Sequence, residues 1–315
     1  MVETERSFEK KMRKRIVGLV ARFGVPILLS AGVACANDQG IPVEENKTPS
    51  TAECNLSLKQ VKLGTVSPED YLQGRDRCLP EVIEAKNSGM LKGFLYNPSN
   101  EELEKLLGDV FSERTSDSER LERLVQSSIE SYKSIEGDEV GTIIPGIVGV
   151  FGEKVPSYVV FREEFFSSPA INNDADVRSI VNHELQHVKD WYEGISLNDI
   201  HLSYDTIYPG TLRIEFLQQL MELRAVYAEL EDIFDKKVNT DSVSVSQEWL
   251  GSQAANYFTY WDSIVKYPTT DLEKRVRELQ FEQFKGITPK VEGDQILITF
   301  NLFGKQEIAK IEKTP

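Results

Sequence analysis

The stretch "SIVNHELQHVKDW", residues 179–191, carries two of the chain's three histidines, His183 and His187, four positions apart with Glu184 directly after the first. Around it Val177, Ile180, Val181, Leu185, Val188 and Trp191 recur at helical spacing. Asn or Asp at 172–174 supplies an N-cap and an acidic first turn, and Gly194 supplies a stop. The pattern predicts one amphipathic helix across the motif. Residues four apart on a helix lie one turn above each other on the same face, so the two imidazoles can converge on one cation.

Imidazole nitrogens suit Zn²⁺, and a catalytic zinc takes three protein ligands, leaving its fourth position to water. Glu184, rotated by about 100° around the helix axis, is poorly placed as a ligand but can reach that water as a general base. A five-residue pattern with three fixed positions arises by chance in roughly one chain of this length in a hundred, so context has to decide. Histidine is otherwise nearly absent. The apolar neighbours would bury the helix, and two buried imidazoles without partners would be costly.

A third ligand has to come from another segment. "RIEFLQQLMELRAVYAELEDIF", residues 213–234, predicts a long helix from about Thr211 to Phe234 with Glu215, Glu222 and Glu229 spaced by seven on one stripe. Spacing alone does not choose among them. Glu222 is central, sits among Met221, Leu223 and Val226, and has the small Ala225 nearby, where helices approach most easily. It is the expected ligand, with Glu229, His201 and Asp190 as competitors. Asp190 lies one turn beyond His187 and better suits a role behind the ligands, accepting a hydrogen bond from an imidazole.

"HELQH" at 183–187 followed by "ELRAVYAEL" at 222–230 resembles the gluzincin branch of the zincin metallopeptidases, over roughly residues 141–235. The resemblance implies an α+β fold with a short mixed sheet packed on an active-site helix. It also implies zinc held by His183, His187 and Glu222, with Glu184 as general base in hydrolysis of peptide or protein substrates. The metzincin pattern fits poorly, since Asp190 and Glu193 stand where that pattern wants Gly and His or Asp. The resemblance further gives the segment "SYVVF", 157–161, the role of an edge strand that pairs with extended substrate. Tyr204 and Tyr208 would be candidates to stabilise an oxyanion.

Outside this core the chain divides by composition. "EKKMRKR" followed by the apolar run to Ala36 fits a secretory signal over 1–36. "GVAC" resembles a lipobox with Cys35 as the lipidated residue, although Gly32 stands where a larger aliphatic is usual. Residues 37–56 have the composition of a flexible tether. If Cys35 is used in this way, Cys54 and Cys78 remain as a pair closing a loop of about 25 residues, a disulfide suited to an oxidising compartment. Residues 57–140 read as a helical N-terminal region, with helices at "NPSNEELEKLLGDVF" and "SDSERLERLVQSSIESYKSI". Residues 141–286 form the catalytic unit, opening with paired strands in "EVGTIIPGIVGVFGE" and "VPSYVVFREEFF" and closing with a helix around 270–284. Residues 287–315 read as a β-hairpin turning near Gly304.

Fifty-one acidic against thirty-six basic residues give a net charge of −15, which excludes nucleic acid as a partner because that binding needs clustered Lys and Arg. The expectation is an exported zinc peptidase of the cell envelope, either a membrane-anchored lipoprotein or secreted. The alternative is a non-catalytic envelope scaffold whose metal is structural.

Overall fold

The computed structural model describes residues 54–112, 117–119, 121–123, 125, 126, 129, 146–148, 156–168, 171–202, 212–239, 247–266, 268–284, 286–293, 295–302 and 305–312. The signal, most of the tether, Cys35, Tyr204, Tyr208 and Gly304 lie outside them. Among the described residues no helix is long and apolar enough to cross a membrane.

The fold is α+β. Three short helices open it: α1 (Leu58–Lys62), α2 (Pro68–Cys78) and α3 (Pro80–Asn87). Ser67 caps α2 by accepting from the Asp70 N–H, and Pro68 occupies the first turn, where its missing N–H costs nothing. Pro80 separates α2 from α3. It pushes Leu79 out of the helical region, to φ −76° and ψ 121°. The expected disulfide is present between Cys54 and Cys78 and ties the start of the described chain to the end of α2.

Next comes β1 (Leu91–Tyr96), a strand in what the composition suggested was an all-helical region, then α4 (Asn100–Ser112). Strand β2 (Gly146–Val148) pairs antiparallel with β3 (Ser157–Phe161), as the sequence implies, but β3 also pairs parallel with β1. The sheet order is β1-β3-β2, so "SYVVF" is the central strand. The expectation that it offers a free edge to substrate is therefore corrected, because both of its edges are bonded within the sheet. Its burial explains the placement. Val159 and Phe161 face the main core, whereas Val160 faces a second cluster built from Leu103, Leu107, Val110 and Phe111 of α4. A strand apolar on both faces belongs between layers.

The strand expected to run on through "REEFF" instead turns into α5 (Glu163–Ser167). This lets Phe161, Phe165 and Phe166 meet edge to face at centroid distances of 4.9 and 5.0 Å. Helix α6 (Asp174–Glu193) follows. Asn173 accepts from the N–H groups of Ala175 and Asp176, and the Asp176 carboxylate reaches back to the Asn173 N–H. Gly194 ends the helix at φ +77°. A Cβ there would sit 2.7 Å from the Leu202 carbonyl oxygen, so no other residue fits.

The loop expected after α6 begins as a small hairpin, β4 (Ile195–Leu197) with β5 (Ile200–Leu202). Helix α7 (Ile214–Asn239) runs back over α6. Helix α8 (Gln247–Lys266), for which the sequence pattern provides no clear expectation, packs on α7, and α9 (Asp271–Gln283) is capped by Thr270 with Glu273 in a capping box. The C-terminus is a three-stranded meander, β6 (Ile287–Glu292), β7 (Gln295–Leu302) and β8 (Lys305–Glu312), one strand more than the expected hairpin. Its buried face, Ile287, Ile296, Ile298 and Phe300, joins the same core as Leu58, Tyr71, Val181 and Leu220. The N-terminal segment, the motif helix and the C-terminal strands thus share one core.

Candidate metal centre

Helices α6 and α7 pack antiparallel, and that pairing builds the site. Ala225 and Val226 are buried on α7, as are Val177, Ile180 and Val188 on α6. Polar side chains of the two helices meet across the seam.

His183 Nε2 and His187 Nε2 stand 3.2 Å apart, with their rings inclined at 79°. Glu222 reaches across from α7. Its Oε2 lies 3.6 Å from His183 Nε2 and its Oε1 3.7 Å from His187 Nε2. All three side chains are buried, and they form a group of ligand atoms able to hold one metal ion. The donor set fits such an ion. Ligands about 2.0–2.1 Å from a tetrahedral zinc are separated by about 3.3 Å, close to the 3.2 Å between the two Nε2 atoms, and one ligand atom from each of the three side chains lies within 4.8 Å of the others.

Of the glutamates on the stripe, it is Glu222 that the structure brings into one group with His183 and His187. Glu229, seven residues on, is about 10 Å further along the helix axis. Its Oε2 lies 3.3 Å from Nδ1 of His183, the nitrogen on the far side of the ring from the centre, and its Oε1 accepts from Ser179 Oγ at 2.6 Å. His201 is exposed on β5, where its Nδ1 meets Ser196 Oγ at 2.9 Å. Glu215 is exposed in the first turn of α7.

Asp190 is buried on the same helix as the two histidines, but its partners differ from the expectation. Instead of an imidazole it receives Arg224 Nε at 2.8 Å, Arg224 Nη2 at 3.0 Å and Gln186 Nε2 at 2.7 Å. The Arg224 Nη1 atom donates to Gln280 Oε1 at 2.8 Å, so the guanidinium bridges α6 and α9. Arg224, Ser179 and Gln280 are parts of the site's support that the sequence reading missed. The one available signal was a lone arginine inside the apolar run "LMELRAVYA", which asks for a buried counter-charge.

The N-terminal segment holds the other end of the motif helix. Asp174 Oδ1 accepts from the Leu58 N–H at 3.0 Å, Tyr71 Oη at 2.7 Å and Arg75 Nη2 at 2.8 Å. Arg75 also lies 4.7 Å above the Tyr71 ring and donates to the Leu56 carbonyl. Arg178 pairs with Glu81 of α3 at 2.6 Å.

Electrostatics reinforce the reading of a cation site. Burial alone would lower the His183 pKa, but hydrogen bonds to Glu222 and Glu229 and the charge of Glu184 outweigh it and hold it well above the usual range. His187 is pushed down to about 4 by burial, with Glu222 opposing and His183 adding to the fall. The carboxylates thus favour positive charge at His183. Glu184, also buried, stands next to this centre on the same helix. No family model, curated protein or solved structure matches the chain.

Proposed function

We propose that this chain is a zinc-dependent peptidase of the zincin type, its fold the short mixed sheet and motif helix that such enzymes use, and that it works outside the cytoplasm from an N-terminal anchor. One observation carries the reading: Glu222 arrives from a separate helix to join His183 and His187 in one group of ligand atoms within 4.8 Å of one another, with Glu184 buried on the same helix as the histidines. A structural metal site needs no base next to it, so Glu184 favours catalysis over a scaffold role. The Cys54–Cys78 disulfide supports an oxidising compartment.

His183, His187 and Glu222 would hold the zinc, leaving one position open. When bound there, zinc supplies Lewis acidity, polarising a carbonyl and making water a competent nucleophile near neutral pH. Glu184 takes the proton from the attacking water and returns it to the departing amine, so no covalent enzyme intermediate forms.

The test is Glu184→Gln in the full chain, with zinc content and digestion of a peptide library measured together. The expected result is about one zinc per chain in both proteins and hydrolysis reduced 10²–10⁴-fold in the variant. Unchanged hydrolysis would remove Glu184 from the mechanism. Zinc in both proteins with no hydrolysis by either would favour the scaffold.

A further inference from the structure

The side chains on the α6–α7 seam form a line that runs past the three candidate ligands. Beyond His183, on the side away from the centre, sits Glu229. It is 1% exposed, and both carboxylate oxygens are engaged, Oε2 at 3.3 Å from His183 Nδ1 and Oε1 at 2.6 Å from Ser179 Oγ. Ser179 is itself buried and lies one turn before His183 on α6. The arrangement is a relay from hydroxyl to carboxylate to imidazole to centre.

Its chemistry follows from what each group can offer. The carboxylate oxygen of Glu229 faces Nδ1 of His183, so a proton on that nitrogen is placed to be donated to it. A neutral imidazole protonated at Nδ1 leaves the Nε2 lone pair free, and Nε2 is the atom that faces His187 and Glu222. The Ser179 hydroxyl holds the carboxylate in the rotamer that makes this contact. A buried glutamate is expensive unless it is paired, and nothing about packing α6 on α7 calls for a carboxylate at this position.

We propose that Glu229, held by Ser179, is a positioning residue for the metal centre: it fixes the tautomer and ring orientation of His183 and strengthens that imidazole as a ligand. The inference rests on the reading of His183, His187 and Glu222 as ligands, and extends it to a fourth residue that touches neither metal nor substrate. Hydrogen-bonded partners of this kind, when removed, cost 10–100-fold in metal affinity.

The experiment measures zinc dissociation constants by competition with a chromogenic chelator, using the full chain as wild type, E229Q, S179A and E222A. Melting temperatures in excess chelator and the ¹⁵N signals of labelled histidine are recorded alongside. The expected result is a 10–100-fold loss of affinity in E229Q and a smaller loss in S179A. Retention of zinc should fail in E222A, and the His183 Nδ1–H signal should shift in E229Q. A purely structural role would lower the melting temperature without moving the affinity, and that outcome overturns the proposal. So does E229Q binding as tightly as wild type, or E229Q losing all zinc while E222A keeps it, which would make Glu229 the ligand. Wild type that takes up no zinc overturns the metal reading itself, and the two failures are thereby distinguished. If E229Q does not fold, S179A alone decides: unaltered affinity in that variant refutes the relay.

Discussion

Replacing Arg224 by Met should destabilise the protein by about 3–5 kcal/mol near pH 8, because it strands a buried charge. The Asp190 side chain is only 1% exposed, and Arg224 donates two of the hydrogen bonds its carboxylate receives. Methionine replaces the arginine stem with an unbranched apolar chain, so packing is largely conserved and the loss reports the charge. The loss has a ceiling, since Asp190 can take up a proton instead. Burial already raises its pKa, while Arg224 and Gln186 oppose the rise. Without Arg224 the folded-state value climbs further above the unfolded one. A carboxyl with a raised folded pKa binds more protons when folded, so its penalty is absent at low pH and grows as pH rises through the folded value. The R224M deficit should therefore shrink by at least about 1 kcal/mol between pH 8 and pH 5. Urea denaturation in excess chelator, at both pH values, measures it. The double variant D190L/R224M removes both charges and should return to within about 1.5 kcal/mol of wild type. A deficit below about 1 kcal/mol at pH 8, or one that does not change with pH, would refute the claim that this pair is buried and coupled.

Two further outcomes test the frame around the site. Converting Cys54 and Cys78 to serine should cost about 3 kcal/mol by freeing the unfolded chain, a fall of roughly 6–12 °C in melting temperature by calorimetry. A change under about 2 °C would show that the disulfide does not constrain the segment that clamps Asp174. Glu273 is fully buried and, despite burial, is held down to about 2 by Arg213, Thr269 and Thr270. Because that value lies below the unfolded 4.5, its contribution is complete above pH 4.5 and is lost as pH falls toward 2. Acid denaturation followed by circular dichroism should show E273Q less stable at neutral pH, with a flatter acid limb, and an unchanged limb would remove Glu273 from acid sensitivity.

How far the sequence could be read depended on whether a feature is local. The motif helix was legible because period, Asn173 cap and Gly194 stop all lie within some twenty residues, and α9 declared itself by Thr270 and Glu273 in the same way. β1 was missed: "LKGFLY" is short, contains a glycine, and is a strand only because β3 bonds to it. "REEFF" continued the strand pattern on paper, yet the aromatic cluster is better buried by a helical turn at Glu163. α8 was missed as well, its apolar residues being divided between α7 and the C-terminal strands. Asp190 shows the same limit at the level of one side chain: its place near the imidazoles follows from helical spacing, but its partner, Arg224, is thirty-four positions away.

Sequence alone determined that His183 and His187 share one helical face with Glu184 beside them, because backbone geometry imposes that wherever the helix forms. It also narrowed the third ligand to a stripe of glutamates. Only the tertiary structure shows which of them stands with the two histidines, through the register in which α7 lies against α6. That register brings Glu222 level with both Nε2 atoms and leaves Glu229 behind His183. With it go contacts between residues far apart in the chain, Ser179 with Glu229 and Asp190 with Arg224 among them. Such contacts leave no period in the sequence for a reader to find.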